Sequence, residues 1–206
     1  MAGLFITFEG VEGAGKSTQI ALLRDALIAR GHRVFTTREP GGGPIGEAIR
    51  AILLSKDHPV NDRSELLLFL AARAQLTESD IKPRLAANEI VLCDRYIDST
   101  SAYQGYAREN DLIMVGNLNV YATGNLKPDL TVLLDLEPSI GLQRQPDHNR
   151  MEALGLEFHQ RVREGFLKIA AEEPERFRVF DASESPERLH KLILEEVTVA
   201  LECLRA

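Results

Sequence analysis

Short apolar runs rich in β-forming residues recur along the chain, each closed by a polar or glycine-bearing turn. Leu4-Phe5-Ile6-Thr7-Phe8 is the first; Arg33 to Arg38, Ile90 to Asp94 and Leu130 to Asp135 share its character, with a weaker fifth at Arg178 to Asp181. Unbroken hydrophobicity over five or six residues predicts strands buried on both faces. Between them lie stretches of helical character: Lys16 to Arg30, Ile45 to Leu54, Ser64 to Ala87, Asn110 to Thr123, Glu157 to Glu172 and Pro186 to Leu201. Pro83 is expected to kink or end the third of these early. Buried strand alternating with helix is the pattern of a parallel sheet covered on both sides, so the expectation is a three-layer α/β/α fold with a five-stranded parallel sheet, one domain over 1–206.

Two segments break the alternation. Glu39-Pro40-Gly41-Gly42-Gly43-Pro44 reads as a turn, not a helix, because three glycines and two prolines leave backbone amides free. Arg144-Gln145-Pro146-Asp147-His148-Asn149-Arg150 is polar and carries a proline between helical stretches, as a surface loop or a short lid over about 143–151 does.

Composition removes whole classes of function. Hydrophobic residues at 44% and charged residues at 27% match a globular protein and give no support to a disordered, collagen-like or coiled-coil chain. The net charge of −7 argues against nucleic acid as the main partner. The longest apolar stretch, Leu66 to Ala72, is far short of the roughly 20 residues that cross a bilayer, and the early apolar run, broken by Glu9 and lacking a basic flank, is unlike a signal peptide. Cys93 and Cys203 match neither zinc spacing nor a CxxC pair, which suggests a reducing, cytoplasmic setting.

Gly10-Val11-Glu12-Gly13-Ala14-Gly15-Lys16-Ser17 matches GxxxxGK[ST] and sits between a predicted strand and a predicted helix, as that phosphate-binding loop requires. Its glycines permit a tight loop whose N–H groups point at phosphate oxygens, and the helix that follows presents its positive end. The fold expectation therefore narrows to the P-loop NTP hydrolase type. ATP would be held by residues 10 to 18, ending at Thr18, with Lys16 on the β and γ phosphates and Ser17 on magnesium. Asn125-Leu126-Lys127-Pro128-Asp129 lacks the Asn-Lys-x-Asp spacing by which GTPases read guanine. Leu92-Cys93-Asp94-Arg95-Tyr96 puts an acid and an arginine directly after a buried strand, where open α/β sheets bind ligands. Asp94 suits magnesium and Arg95 suits charge on donor and acceptor phosphates, although an ordinary surface ion pair would look the same at this stage.

Phe8-Glu9-Gly10, the phosphate loop, Thr37-Arg38-Glu39-Pro40-Gly41-Gly42, Asp94-Arg95-Tyr96 and Ser99-Thr100-Ser101-Ala102-Tyr103-Gln104-Gly105, in this order and spacing, resemble the thymidylate kinases. The resemblance runs from Leu4 to Asp181-Ala182-Ser183. It implies transfer of the γ-phosphate of MgATP to dTMP, giving dTDP and ADP for dTTP synthesis, by a cytoplasmic homodimer. Phe69 and Arg73, four residues apart on one helical face, suit a pyrimidine: Phe69 stacks on the ring and Arg73 donates to O4 of thymine, although Phe69 also fits a core residue. Uracil differs by one methyl, so its rejection should reach only roughly 1–3 kcal/mol. The resemblance further implies Ser99 and Gln104 around the base and its phosphate and Tyr103 beneath the sugar, a ring equally suited to packing between helices. It also implies Glu39, Pro40, Arg38 and Arg50 at the acceptor side, and Glu12 near the sugar hydroxyl. With Gly13-Ala14 in the phosphate loop, the chain resembles the branch whose lid supplies the catalytic arginine, and Arg144 and Arg150 are its candidates. Ala182 lies in the turn that resembles the adenine-side loop, and Ser185 suits a helix cap before Pro186. Two rivals remain open on the residues alone: another P-loop kinase of nucleosides or nucleoside monophosphates, and a nucleotide-gated regulator without turnover.

Overall fold

A computed structural model describes residues 3–57, 59–144, 150–151 and 153–203. The five expected strands form, as β1 (Leu4–Glu9), β2 (Val34–Arg38), β3 (Ile90–Asp94), β4 (Leu130–Asp135) and β5 (Phe177–Asp181). All neighbours are parallel, in the order β2-β3-β1-β4-β5. Alternation along β1 feeds two cores: Leu4, Ile6 and Phe8 join one cluster, while Phe5 joins Leu76, Ile81, Val91 and Tyr96 in the other. With β3 and β4 on either side of β1, the loops after β1 and β3 open side by side at the carboxyl edge.

Helix α1 (Lys16–Ala29) touches β1, β2 and β3, and α9 (Pro186–Cys203) touches α1, β4 and β5. Elsewhere around the sheet lie α2 (Gly43–Leu54), α3 (Asp62–Leu76), α4 (Lys82–Ala86), α5 (Ile97–Thr100), α6 (Leu112–Thr123), α7 (Pro138–Gln143) and α8 (Leu156–Glu172).

Three local expectations need correction. The stretch from Ser64 to Ala87 is not one α-helix: α3 widens into a π-helical turn at Thr77–Ile81 and continues as α4, with Pro83 as its second residue, directly after the widened turn. Gly43 and Pro44 belong to α2, because proline is suited to the first helical turn. The signature stretch 97–107, left without a helix by its periodicity, is α5 running into a second π-helical turn, Ser101–Ala107. α7 also escaped the pattern, being six residues long.

The phosphate loop is fixed to α7 by two glycines. A Cβ on Gly13, whose φ is +69°, would stand 2.2 Å from the Gly141 carbonyl oxygen, and one on Gly141 would stand 2.0 Å from that of Glu12. Neither backbone can retreat without moving its whole element. Gly141→Ala is therefore expected to cost about 1–3 kcal/mol, lowering Tm by several degrees and weakening ATP binding together. Unchanged Tm and ATP affinity, by thermal denaturation and calorimetry, would show that the close approach is dispensable.

Candidate active site

A cleft of about 430 Å³ opens at the carboxyl edge. Glu12 to Thr18, Arg144, Asp94 and Arg95 line one part, and Arg38, Glu39, Pro40, Arg50, Phe69, Arg73, Ser99, Tyr103 and Gln104 line the rest, with Leu54, Thr100 and Met151. Most of the site residues expected from sequence thus meet in one place; Gly10, Val11, Arg150 and Ala182 are outside its lining.

Lys16 folds back over the loop, donating to the carbonyls of Gly10 (3.1 Å) and Val11 (2.9 Å). Burial, with Arg95 nearby, brings its ammonium down to about 8. Ser17 Oγ is 3.4 Å from Asp94 Oδ2, and Asp94 Oδ1 is buried with no partner among the described residues. Among the described residues no cluster of three or more His, Cys, Asp or Glu could hold a metal.

Glu12 is a carboxylate inside a phosphate loop, and the structure shows what restrains it. Arg95 Nη2 donates to its Oε1 at 3.0 Å, the Tyr103 hydroxyl donates to both oxygens at 2.8 and 2.7 Å, and His159 Nδ1 stands 3.4 Å from Oε2. Burial alone would raise its pKa; Arg95, His159, Lys16 and Tyr103 together hold it far below the ordinary carboxylate range. Arg95 also donates to the Gly10 carbonyl and to Ser99 Oγ, and its guanidinium lies 5.0 Å from the Tyr103 ring centre. It holds this place with φ of +71°, a left-handed conformation that is costly for a side chain with a Cβ.

On the acceptor side, Arg50 donates to the Pro40 carbonyl at 2.7 Å and half-exposed Arg38 pairs with Glu47 at 3.2 Å. Phe69 faces the cleft from α3. Arg73, also on α3, is 1% exposed, and all five of its N–H donors are taken. Nε and Nη2 both reach Glu39 Oε2, Nη2 also reaches the Tyr96 carbonyl, and Nη1 reaches Thr100 and Asn119. A base contact from Arg73 must share one of these hydrogens, and removing Arg73 would strand buried Glu39. Gln104 Nε2 donates to Glu65 at 3.0 Å.

The two lid arginines diverge. Arg144 Nη1 donates to the Gly13 carbonyl at 3.0 Å, beside the phosphate loop. Arg150 is anchored away from it, on the Leu53 carbonyl (2.8 Å) and Glu65 (2.7 Å). The lid expected between them lies, at residues 145–149, outside the described residues. Ala182 is buried with its N–H on the Asp135 carbonyl, and Ser185 Oγ accepts from Arg188 N at 3.3 Å, the expected cap.

Comparison with known proteins settles the lineage. The sequence profile described as Thymidylate kinase matches residues 8–193. The chain is 52% identical over 201 residues to the thymidylate kinase of Solidesulfovibrio magneticus (92% of this chain, 96% of that one). It is 48% identical to that of Deinococcus radiodurans (95% and 97%). The chain belongs to the thymidylate kinase family. Its fold agrees with the crystal structure of thymidylate kinase from Ehrlichia chaffeensis at a TM-score of 0.80 and 36% identity, covering 96% of this chain and 99% of that one.

Sequence reading of this thymidylate kinase family member missed Glu65, His159 and the role of Glu9. Glu65 had a usable signal, its position one turn before Phe69; His159 had none, since its partner Glu12 is far away in the chain. Glu9 is fully buried, with Oε1 accepting from Tyr96 N–H at 2.7 Å and Oε2 meeting Ser99 Oγ at 2.6 Å. Burial first, then Asp98, pushes it up to about 8, against Ser99, Arg95 and Tyr96 N–H, with Lys16 also facing it. The folded protein thus holds a proton that the unfolded chain releases near the ordinary 4.5. That contribution is complete below 4.5 and is lost as pH rises through about 8. In Glu9→Gln, the Tm difference from wild type should move in the variant's favour between pH 5 and 8.5 and then level off. A difference that does not change with pH would mean that Glu9 ionises normally.

Proposed function

We propose that the cleft's two halves receive ATP and dTMP together, and that the side chains gathered around the Glu12–Arg95 pair assist the transfer between them. The chain phosphorylates dTMP to dTDP with ATP, in dTTP synthesis. The observation that carries the division of roles is the single continuous lining, from the phosphate loop through Arg95 to Phe69 and Gln104.

On the donor side, the loop amides and Lys16 take the β and γ phosphates, Lys16 exchanging its loop carbonyls for phosphate oxygens. The orphaned Asp94 Oδ1 and the adjacent Ser17 hydroxyl fit magnesium, which draws most of its ligands from water and phosphate. Bound there, magnesium neutralises phosphate charge. On the acceptor side, Phe69 stacks on thymine, Arg73 shares a hydrogen with O4, Gln104 meets the base edge, and Arg38 and Arg50 face the 5′-phosphate. Ser99, Glu39 and Pro40 shape that half, and Tyr103 supports the sugar next to Glu12. Arg95 serves both phosphates. The acceptor phosphate is largely ionised near neutral pH, its second pKa being about 6, so attack in line needs no strong base.

For the lid, the hydrogen bond of Arg144 to Gly13 favours Arg144 over Arg150 as the arginine that reaches the transferring group; the Ala182 N–H is already spent on the Asp135 carbonyl, so a backbone contact near adenine falls to its carbonyl. We also assign a homodimer, supported by the exposed apolar side chains Leu67 on α3 and Ile113 and Tyr121 on α6, with exposures of 58%, 76% and 88%. Free Cys93 and Cys203 suit a cytoplasmic protein.

Offered MgATP with dTMP, dUMP, dCMP, dGMP, UMP or thymidine separately, the protein should release ADP fastest with dTMP. No acceptor-dependent ADP from folded, ATP-binding protein would favour a nucleotide-gated regulator. Arg144→Ala should lose kcat by roughly 10²-fold or more with KM for dTMP little changed, whereas Arg150→Ala should lose chiefly thermal stability; equal kcat losses would sink the lid assignment. Light scattering should give twice 22.9 kDa at micromolar concentration, and Tyr121→Glu should shift it toward one; a wild-type monomer would end the dimer reading.

A further inference from the structure

Glu65 is 0% exposed, on α3 one helical turn before Phe69. Its Oε2 accepts from Arg150 Nη2 at 2.7 Å and from Arg108 Nη2 at 3.2 Å, and its Oε1 accepts from Gln104 Nε2 at 3.0 Å. A carboxylate between two guanidinium groups offers only acceptors. Gln104 must therefore turn its NH₂ toward Glu65, which leaves its carbonyl oxygen for the cleft that it lines. Among the described residues, that oxygen receives no hydrogen bond. The side chain has little freedom to turn otherwise: Gln104 is 2% exposed and lies in the π-helical turn, its main-chain carbonyl fixed by Asn110 Nδ2 at 2.6 Å.

The two ends of an amide are nearly equal in shape, so a glutamine alone reads a ring nitrogen that donates and one that accepts about equally well. We propose that Glu65 is a specificity-determining positioning residue: it fixes Gln104 as an acceptor toward the base and so selects a pyrimidine whose N3 carries hydrogen. Thymine and uracil qualify. Cytosine does not, because its N3 lone pair would face the Gln104 oxygen. The proposal rests on the reading that the base lies against Phe69 and Gln104. It assigns the part of the cytosine-against-thymine choice read at N3 to a residue behind the cleft lining, beside the part read at O4 by Arg73, and leaves the thymine-against-uracil choice to the fit around the methyl group.

The test compares kcat/KM for dTMP and dCMP in wild type, Gln104→Leu, Glu65→Gln and the double variant, each checked for a cooperative melt. Gln104→Leu should narrow the dTMP/dCMP ratio by about 10- to 100-fold, the reach of one buried hydrogen bond and its reversal. Glu65→Gln should narrow it to a similar extent, because a glutamine at 65 can donate to Gln104 Oε1 and release the NH₂ toward the cleft. In the Gln104→Leu background, Glu65→Gln should change the ratio no further. A Glu65→Gln enzyme that loses both acceptors alike, or adds its effect to that of Gln104→Leu, would overturn the proposal and leave the base placement standing. An unchanged ratio in Gln104→Leu would overturn both. Should Glu65→Gln fail to fold, wild-type protein labelled with ¹⁵N-glutamine decides: the Gln104 side-chain NH₂ signals, identified by their absence in Gln104→Leu, should move little when dTMP binds. A large shift would place the NH₂ on the base and overturn the proposal.

Discussion

A negative charge inside a phosphate-binding loop is the constraint around which the rest of the site is arranged. Glu12 would repel the nucleotide's phosphates if left free, and the pair it forms with Arg95 removes that charge where it stands. Arg95 comes from the end of β3, Glu12 from the loop after β1, Tyr103 from the π-helical turn and His159 from α8, so neutralising one carboxylate ties four segments together. Breaking a buried pair of this kind costs about 3–5 kcal/mol because one charge is left uncompensated. That magnitude exceeds the roughly 1–3 kcal/mol of a left-handed backbone at a residue with a Cβ, which explains why Arg95 keeps φ at +71°.

The buried acids around the cleft meet the same desolvation with different partners. Glu39 faces Arg73, Glu65 faces Arg108 and Arg150, and Asp98 receives both Nη atoms of Arg176 at 2.7 Å. Glu9 has a hydroxyl and a backbone N–H as its direct partners, with Asp98 nearby. Glu12 and Glu9 are therefore pushed in opposite directions from one starting value: Arg95, His159, Lys16 and Tyr103 together outweigh burial at Glu12, whereas burial and Asp98 prevail at Glu9, and burial prevails at Glu39 even against Arg73. A neutral Glu9 also adds no negative charge beneath the phosphate loop, where Glu12 already draws on Arg95.

The parts of the fold that could be read from sequence are those written locally. The central strands β1, β3 and β4 are buried and leave continuous apolar runs, and the phosphate loop is spelled by glycines at fixed spacing, so both stood out without a structure; the edge strands β2 and β5, expected to be buried on both faces, are only partly so. The helix at 97–107 did not, because its serines, threonine and Gly105 favour turns in isolation; it is held by burial of Ala102, Tyr103 and Ala107 in the core. The ion pairs were equally silent: Arg73 finds Glu39 across 34 positions and Arg95 finds Glu12 across 83. Helical spacing placed Arg73 on the face of α3 that Phe69 shares, and both line the cleft, yet spacing carries no information on how many of its donors the protein itself consumes.

That face of α3 shows how one helix serves several tasks. Glu65, Phe69 and Arg73 recur every four residues and so share one stripe. The first orients Gln104, the second offers a ring to the cleft, and the third binds Glu39 after β2 and Thr100 in α5. Charged side chains at both ends of the stripe are engaged with protein, which leaves Phe69 between them as the member presenting apolar surface to the cleft. The opposite stripe, Arg63, Leu67, Ala71 and Gln75, is exposed and has none of these demands, so one helix keeps the residues that line or brace the cleft apart from those that meet solvent.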